Sequence, residues 1–556
     1  MTTPAPDGVP ATPGLPTDPA RATPGRPTDR LTAGEALVRA LAAHGTDLVF
    51  GIPGTHNLEL YRHFPAYGIR HVAPRHEQGA GYAADGYART TGRPGVAVTT
   101  TGPALLNIAA AVGEAYSDSV PMLVVSPGMP LRHPVQSTGL LHEMRSQSAA
   151  LSAVAAFSHR VSSAAEAGAA VARAFTLFRQ ERPRPVHIEI PLDLMETAEP
   201  AGPVRLAPAA APRAPDPEAL KDAAAALSAA RSPALVLGGG ARGAAAECLE
   251  LAERLGAPVL TTANGKGVIP ETHPLAAGVS LHSPSARRQL CERDVVIAVG
   301  TELAESDLWA EDLPLTGTLV RIDLDPAQMY ARTPADHALV GDARTVLAAL
   351  LEQLTGAPAP GGPDAVRRLL ADRDAETAER DARWLPYLRV LRSVLADDAV
   401  ITSDQAQCCY YGALPHLPLG PGGRYLHPTG FATLGYALPA AIGAKCAAPG
   451  RQVVALCGDG GLQFTVQELA TAAALGHPLP VVVFDNGGYG EIRDGMRGRG
   501  DAPYAVDLPP VDLPALARAY GGSGVRVERP AELADALRTA LNTPGPTVIH
   551  IPEEHP

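Results

Sequence analysis

Short apolar segments that alternate with helical stretches run along most of the chain, in three successive blocks. In the first block the segments DLVFGIP, GVAVTTT and MLVVSP are separated by stretches such as TAGEALVRALAAHG. Continuous apolar runs of this length indicate buried strands, and the long connections between them are those of parallel pairing with crossover helices. The sequence therefore predicts an α/β fold of three consecutive doubly wound parallel-sheet domains.

Pro- and Gly-rich stretches divide these blocks, and such composition is typical of linkers. A length of 556 residues is also too great for a single hydrophobic core. The predicted organisation is a disordered tail at 1–30, a first domain at 31–198, a linker at 199–217, a middle domain at 218–355, a linker at 356–372 and a last domain at 373–556.

Composition restricts the classes of partner. The formal net charge of −12 disfavours a nucleic-acid surface, which needs clustered Lys and Arg. No apolar run reaches the roughly 18 residues of a membrane helix, and the first 30 residues lack the pattern of a secretory signal. Six cysteines without a CxxC pair favour a reducing compartment. We expect a cytoplasmic protein that binds small molecules, with no nucleic acid and no membrane as partner.

The third block contains two glycine-rich turns, each directly after an apolar strand. The first follows VVALC and includes Asp459, and the second follows VVVFD and includes Asn486, with a helix at about 465–475 between them. Adjacent parallel strands would bring these side chains to one edge of the sheet. The oxygens of Asp459, Asn486 and the Gly488 carbonyl are hard ligands that suit Mg²⁺.

The glycines of the first turn, Gly458, Gly460 and Gly461, would leave backbone N–H groups open to a phosphate at a helix start. A lone Gly-Asp-Gly is more often an ordinary surface turn. The pair of turns, 27 residues apart from Asp to Asn, is far more specific.

This pair of turns resembles the fingerprint of the thiamine diphosphate enzymes, in which a divalent metal holds the diphosphate of the cofactor. The family pattern usually ends in Asn-Asn, whereas this chain has Asp485-Asn486. The second position is the ligand in that family, so the resemblance implies Asp459, Asn486 and Gly488 as metal ligands, with Tyr489 beside them at the cofactor. It also implies thiamine diphosphate and Mg²⁺ as cofactors.

A second stretch, RHEQGAGYAADGYAR, resembles the pyrimidine-domain motif of the thiamine enzymes that decarboxylate 2-oxo acids or make acetolactate. The resemblance implies that Glu77 is the carboxyl group that activates the cofactor ring. The alternative is that Glu77 only stabilises the positive end of its helix.

Two further stretches, HPTGFATLGYALPAAIGAK and SDQAQCCYYGA, resemble the family in the last block. The resemblance places Leu434 between the two cofactor rings and the Ala432 carbonyl at its amino group. Leu434 could instead be an ordinary core residue. Gln407 would cover the diphosphate, with Cys408 where related synthases often carry His.

The family domains run in the order pyrimidine-binding, middle and diphosphate-binding, and the resemblance spans about 31–552. In this family Glu77 and Asp459 serve one site from different subunits. The resemblance therefore implies a homodimer or homotetramer with active sites between subunits.

The middle block contains LVLGGGARG, with Gly238, Gly240 and Gly243 in the spacing of a dinucleotide site. The next strand, APVLTTANGKG, lacks the acidic residue that would bind a ribose. We interpret these glycines as allowing close packing between strand and helix. Acetolactate synthases bind FAD in this domain, but their usual Phe-Asp-Asp-Arg stretch is replaced by TELAESDLW, so FAD is unlikely.

Two segments near the expected reaction centre differ from those of related enzymes, since Glu491 stands where related decarboxylases often carry an apolar pocket residue. In GYGEIRDGM, Glu491 and Asp494 lie about one helical turn apart, and an anionic pocket would favour a cationic tail such as guanidinium. A solvated helix face is the alternative. In GLLHEMRSQ, His142 and Glu143 stand where acetolactate synthases have a Gln, which makes His142 a candidate proton donor.

Together these segments most resemble the 5-guanidino-2-oxopentanoate decarboxylases of arginine catabolism. The resemblance implies an enzyme that converts a 2-oxo acid to an aldehyde and carbon dioxide, with Glu77, His142 and Glu491 in catalysis. Two alternatives remain: an acetolactate synthase-like carboligase that acts on pyruvate, and a catalytically inactive regulatory paralogue.

Overall fold

The computed structural model describes residues 30–133, 137–208 and 213–553. Three six-stranded sheets follow one another along the chain, and every strand pair within them is parallel. The predicted fold of three parallel-sheet α/β domains is confirmed. The predicted tail lies outside the described residues except for Arg30, which pairs antiparallel with Pro200.

The N-terminal sheet has its strands in the order 2-1-3-4-6-5, numbered along the chain. In that spatial order the strands are Arg70–Val72, Leu48–Gly51, Gly95–Val98, Met122–Gly128, Val186–Pro191 and Phe157–Arg160. The helices of this domain are Ala33–Ala43, Leu58–His63, Glu77–Thr91, Pro103–Ser117, Gln147–Ser152, Ala164–Gln180 and Leu192–Met195.

The middle sheet has a different order, 3-2-1-4-5-6. Its strands, in space, are Ala276–Val279, Val259–Thr261, Pro233–Leu237, Val295–Val299, Thr318–Asp323 and His337–Val340. Its α-helices are Pro217–Ser228, Ala245–Leu255, Pro284–Cys291, Glu305–Leu308 and Ala343–Gln353. Two helices, Gly362–Asp381 and Leu385–Val394, then lead to the last sheet, so the predicted 356–372 linker is helical from Gly362 onward.

The C-terminal sheet repeats the N-terminal order, 2-1-3-4-6-5. Its strands, in space, are Arg424–Leu426, Val400–Ser403, Val453–Gly458, Leu479–Asp485, Pro546–Pro552 and Ser523–Arg526. Its helices are the π-helix Cys408–Ala413 and the α-helices Leu414–His416, Ala437–Ala447, Asp459–Leu462, Glu468–Leu475, Gly490–Gly498, Leu513–Ala519 and Pro530–Ala540.

Each sheet is covered on both faces, which explains its continuous apolar strands. Along Val453–Gly458, Val453 and Ala455 enter one hydrophobic core, whereas Val454 and Leu456 enter another. Because successive side chains of a strand point to opposite faces, both faces must be apolar when both are buried. Among the described residues, no helix combines the length and apolar character needed to cross a membrane.

The two outer domains share one hydrophobic core. Helix Glu77–Thr91 of the N-terminal domain packs against helix Ala437–Ala447 of the C-terminal domain. Gly86 and Gly443 lie at this contact, where a Cβ on either would collide with the backbone of the other helix. The small residues that the sequence places here therefore allow the two helices to approach closely. The predicted domain boundaries themselves stay predictions.

Candidate active site

The C-terminal sheet brings two of the predicted ligand residues to one edge. Asp459 directly follows the strand Val453–Gly458, and Asn486 directly follows the strand Leu479–Asp485. These strands are parallel neighbours, so both residues leave the sheet at its carboxyl edge. The Asn486 backbone N–H donates to Asp459 Oδ1 at 3.2 Å. The structure thus places the two residues side by side, although their role as metal ligands stays a prediction.

Both side chains have buried oxygens that suit a cation. Burial, together with the nearby carboxylate of Asp485, raises the pKa of Asp459 to about 7. Asn486 Oδ1 is buried and accepts no hydrogen bond within the described part of the chain. A divalent cation binds carboxylate and amide oxygens and would favour the ionised form of Asp459. The donor set therefore fits Mg²⁺.

The turn after the second strand depends on glycine. Gly487 has a φ of +74° and Gly488 a φ of +142°, values that side-chain-bearing residues rarely adopt. A Cβ on Gly488 would also collide with the carbonyl oxygen of Val506. The Gly488 carbonyl oxygen lies 3.3 Å from the point that a Cβ on Gly460 would occupy. The carbonyl predicted as the third ligand therefore lies close to the helix that begins at Asp459.

Glycines around this short helix allow close contacts with Tyr489 and with the segment that leads to Gln407. A Cβ on Gly460 would lie 3.2 Å from the Tyr489 ring, and one on Gly461 would lie 3.2 Å from Asp404. A Cβ on Gly458 would lie 3.1 Å from a side chain of the segment that precedes Gln407. The helix is only one turn long, and the next helix begins at Glu468 rather than at the predicted 465.

A cavity of about 490 Å³ opens beside these residues. Its lining includes Asp459, Asn486 and Gln407, together with several arginines. Arg383 donates to Gln407 Oε1 at 3.1 Å, and Arg493 donates to the Asn486 carbonyl oxygen at 2.7 Å. Guanidinium groups next to a candidate metal site suit an anionic phosphate group. The cavity can therefore accept a diphosphate together with its metal.

Glu491 and Asp494 lie on the helix that follows the turn and are joined to Gln407. The Gln407 amide donates to Glu491 Oε2 at 3.1 Å and to Asp494 Oδ2 at 2.9 Å. Two tyrosines also fix Glu491, since Tyr410 donates to Oε2 at 3.0 Å and Tyr411 to Oε1 at 2.9 Å. The Glu491 residue is exposed, and these hydrogen bonds hold its carboxylate beside Gln407 at the candidate diphosphate site.

Sequence reasoning missed these two tyrosines and a neighbouring tryptophan. Tyr410 and Tyr411 lie in the π-helix directly after Gln407, and their position in CCYYGA was the one signal available. Trp309 comes from the middle domain, where it has a φ of +49°, and its ring centroid lies 5.4 Å from that of Tyr411. No motif marks Trp309, because its contact arises from the packing of one domain on another.

Cys408 lies apart from the cavity, although it follows Gln407 directly. Its side chain is buried, and the Sγ atom lies 3.8 Å from the Cys457 carbonyl oxygen. Burial raises the pKa of the Cys408 thiol well above its usual range. The side chain is therefore a neutral core group, and the predicted role of Cys408 at the cofactor stays a prediction.

Glu77 begins a helix of the N-terminal domain, and both domains fix the turn before it. Asn107 donates to Glu77 Oε2 at 2.9 Å. The buried Glu468 of the C-terminal domain accepts hydrogen bonds from the backbone N–H groups of Arg75 and His76, both at about 3.0 Å. No sequence motif pointed to Glu468, which lies 391 positions from Glu77.

His142 is held in a strained backbone conformation in the N-terminal domain. Its φ is +62°, and its Nδ1 lies 3.2 Å from Thr101 Oγ1. His56 contacts the same hydroxyl at 2.6 Å, and the two imidazole ring centroids are 5.5 Å apart. Glu143 points elsewhere, since it pairs with His133 at 2.5 Å and accepts hydrogen bonds from backbone N–H groups of its own loop.

Ala432 and Leu434 lie on the loop before helix Ala437–Ala447. Ala432 has a φ of +57°, which is uncommon for a residue other than glycine. Leu434 is half-buried, unlike the fully buried leucines of the sheets. The loop thus presents both residues at the surface of the domain.

The predicted site residues fall into two groups within one chain. Asp459, Asn486 and Glu491 belong to the C-terminal group, whereas Glu77 and His142 belong to the N-terminal group. Within the described residues, no hydrogen bond or ion pair joins a member of one group to a member of the other. The predicted arrangement of sites between subunits is not tested by a single chain.

The middle-domain glycines allow a close approach of backbone segments. A Cβ on Gly238 would collide with the Gly300 carbonyl oxygen, and one on Gly240 would lie 2.8 Å from Gly300 Cα. Gly243 has no atom near its Cβ position. Two of the three glycines therefore serve packing between neighbouring strand ends, and the expectation about FAD stays a prediction.

Comparison with known proteins identifies the family. Models of the thiamine pyrophosphate enzyme N-terminal, central and C-terminal domains match residues 31–150, 220–350 and 407–551. The chain is 45% identical over 526 residues to the probable 2-ketoarginine decarboxylase AruI of Pseudomonas aeruginosa, covering 94% of each chain. It is also 34% identical to the acetolactate synthase large subunit of Parasynechococcus marenigrum, covering 94% of this chain and 87% of that one.

A lower identity of 31% relates the chain to the acetolactate synthase isozyme 3 large subunit of Escherichia coli, over 92% of each chain. These matches confirm the predicted enzyme class, its thiamine cofactor and the order of the three domains. The chain belongs to the thiamine pyrophosphate enzyme family.

Proposed function

We propose that this enzyme removes carbon dioxide from a 2-oxo acid with a cationic tail, of the 5-guanidino-2-oxopentanoate type, and releases the aldehyde. The observation that carries the proposal is the Glu491 carboxylate, which Gln407, Tyr410 and Tyr411 fix beside the cavity. A guanidinium group pairs with a carboxylate through two parallel hydrogen bonds and stacks on aromatic rings. The printed name of the Pseudomonas relative supports this choice, because 2-ketoarginine is 5-guanidino-2-oxopentanoate.

Thiamine pyrophosphate, when bound, supplies a carbon nucleophile for the 2-oxo carbonyl and accepts the electron pair as carbon dioxide leaves. Asp459, Asn486 and the Gly488 carbonyl would hold Mg²⁺ and, through it, the diphosphate. Gln407 and the backbone N–H groups of Gly458, Gly460 and Gly461 would bind the diphosphate oxygens, with Tyr489 packed alongside.

Two loop residues would set the orientation of the cofactor rings. The Ala432 carbonyl would accept a hydrogen bond from the amino group of the pyrimidine ring. The half-buried Leu434 side chain would separate the two rings and keep the cofactor bent. The unusual φ of +57° at Ala432 supports a functional role for this loop.

Proton transfer falls to the N-terminal group of residues. Glu77, oriented by Asn107 at 2.9 Å, would exchange a proton with the pyrimidine ring and so activate it. His142 would donate the proton that replaces the lost carboxylate. Thr101 and His56 support this role, since they hold the His142 ring through a shared hydroxyl.

The enzyme would work as a homodimer or homotetramer in which Glu77 of one subunit meets Asp459 of another. The test uses two inactive variants, Glu77→Gln and Asp459→Asn, which are co-expressed or mixed after dissociation. Sites between subunits would restore roughly a quarter of the wild-type activity, because random pairing makes about half of all dimers mixed and each mixed dimer contains one intact site out of two. Activity that stays at the level of the separate variants would show that each site lies within one chain.

The substrate is tested by comparing 5-guanidino-2-oxopentanoate, its uncharged analogue 2-oxohexanoate, and pyruvate. The purified protein with thiamine pyrophosphate and Mg²⁺ is expected to release carbon dioxide and the guanidino aldehyde at the highest kcat/KM. Formation of acetolactate from pyruvate at a comparable rate would contradict the proposal and support the carboligase. Calorimetry with the same cofactors separates both enzymes from an inactive paralogue, which would bind neither.

A further inference from the structure

The N-terminal domain holds the loop that carries Ala432 and Leu434. We call residues 429–435 the ring loop, because the proposed function places it at the cofactor rings. Glu114, on helix Pro103–Ser117 of the N-terminal domain, accepts two hydrogen bonds from this loop. The Thr433 backbone N–H donates to Glu114 Oε2 at 3.0 Å, and the Thr433 hydroxyl donates to the same atom at 2.9 Å.

Two further buried carboxylates bind backbone N–H groups at the ends of the ring loop. Asp118, one helical turn after Glu114, accepts from Thr429 at 3.0 Å and from the next N–H at 3.1 Å. Asp404 accepts from the Gly435 N–H with both oxygens at 3.0 Å. Three buried carboxyl groups thus bind four backbone N–H groups of a seven-residue loop. In an ordinary surface loop, water would satisfy these N–H groups.

The helix surface is shaped to receive this loop. A Cβ on Gly113 would lie 2.8 Å from the Phe431 ring, which is 51% exposed and covers that glycine. A Cβ on Gly430 would collide with Ser117 Oγ. These contacts lie on the same face of the helix as Glu114, so the loop packs along the last two turns of the helix.

We propose that Glu114 and Asp118 are positioning residues that hold the ring loop ready for the cofactor before it binds. The inference rests on the proposed roles of Ala432 and Leu434, but it concerns a contact between two domains of one chain. The left-handed conformation of Ala432 costs free energy and persists only where neighbouring contacts fix it. The hydrogen bonds to Thr433, directly after Ala432, are placed to fix that conformation.

The chemical state of Glu114 makes a sharp test possible. Burial and the nearby charge of Asp118 raise the pKa of Glu114 well above its usual range, which favours the neutral form of this carboxyl group. Its second oxygen, Oε1, is buried without a partner in the described part of the chain. Glutamine matches the neutral acid in shape and keeps an acceptor for Thr433. Glu114→Gln should therefore preserve the loop, whereas Glu114→Ala should release it.

Hydrogen exchange of the apo-protein tests the loop directly. In Glu114→Ala, the amides of the ring loop should exchange roughly tenfold faster, because two hydrogen bonds are lost. Glu114→Gln should exchange within about twofold of wild type. Glu189→Ala is the matched control, since Glu189 is a buried carboxylate of the same domain that binds Ser148 and does not contact the ring loop.

Cofactor affinity, measured by calorimetry, tests the purpose of the contact. Glu114→Ala should bind thiamine pyrophosphate with Mg²⁺ roughly fivefold to tenfold more weakly, and Glu114→Gln should restore the affinity. Thr433→Val removes one hydrogen bond at a partly exposed position and should give an effect of the same sign if Glu114→Ala does not fold. Unchanged exchange in these variants, or faster exchange with unchanged affinity, would overturn the proposal.

The measurements on the Glu114 variants can be distinguished from a failure of the proposed function. If the wild-type protein binds the cofactor but does not act on the guanidino acid, the substrate assignment fails. The exchange and affinity differences among the Glu114 variants would be unaffected by that outcome.

Discussion

Binding of the metal and cofactor is expected to release a proton from Asp459. Burial and the charge of Asp485 raise the pKa of Asp459 to about 7, and a metal ligand must be ionised. Asp459 is almost fully ionised at pH 8, whereas at pH 6 only about one molecule in ten carries the charge. The apparent Kd for the cofactor with Mg²⁺ should therefore rise about tenfold between pH 8 and pH 6.

Calorimetric titration of the apo-protein at saturating Mg²⁺ measures this dependence. Titrations at pH 7 in two buffers of different ionisation enthalpy should detect the release of about half a proton. A phosphate group of the cofactor also titrates near pH 6, so its own protonation is measured without protein and subtracted. A Kd that stays constant from pH 8 to pH 6 after this correction would refute the reasoning.

The same pKa shift affects the folding stability of the apo-protein, which falls as the pH rises, whereas cofactor affinity increases with pH. The folded-state pKa of Asp459 lies above its ordinary value of 3.8, so folding favours the neutral carboxyl. The stability that this preference provides is present below pH 3.8 and is lost as the pH rises through about 7. Asp459→Asn, which is neutral at every pH, should therefore melt at a higher temperature than wild type at pH 8. It should also lose the stabilisation that the cofactor gives, and equal melting temperatures at pH 8 would count against the shifted pKa.

Three further substitutions test the other groups of the site. Glu491→Gln should lower kcat/KM for the guanidino substrate roughly 10-fold to 100-fold and for 2-oxohexanoate less than about threefold. Asp501→Asn is the control for the change in charge. Equal losses of kcat/KM on both substrates would argue against recognition of the substrate tail by Glu491. Tyr411→Phe should raise KM for the guanidino substrate roughly fivefold through a less fixed Glu491, and an unchanged KM would remove Tyr411 from the pocket. Glu77→Gln should retain cofactor affinity while turnover falls at least about 100-fold, and near-normal turnover would exclude Glu77 as the activating acid.

The sheet edge of the site could be predicted because its geometry follows from local pattern. Asp459 and Asn486 each follow a continuous apolar strand, and strands joined by a helical crossover pair in parallel with their ends together. The pair Gly487-Gly488 also indicates a tight turn, since such a turn needs a positive φ, which glycine adopts readily. These features can be predicted from the sequence of one domain alone.

The surroundings of Glu491 could not be predicted, because they depend on contacts between distant segments. From the sequence alone, Glu491 could lie equally well on a solvated helix face or in a substrate pocket. Tyr410 and Tyr411 lie about 80 positions earlier and reach Glu491 only after the sheet has formed. Glu143 shows the same limit, since it follows His142 directly but pairs with His133 within its own loop. Side-chain direction in loops is set by tertiary contacts that no periodicity records.

The shared core of the outer domains has a consequence for synthesis on the ribosome. Helix Glu77–Thr91 packs on helix Ala437–Ala447, which is translated some 350 residues later. The apolar surface that the first domain turns towards this partner stays uncovered while the whole middle domain is being made. A nascent chain of this design depends on protection from aggregation until its final third has emerged, and truncated products that end before that point should be insoluble.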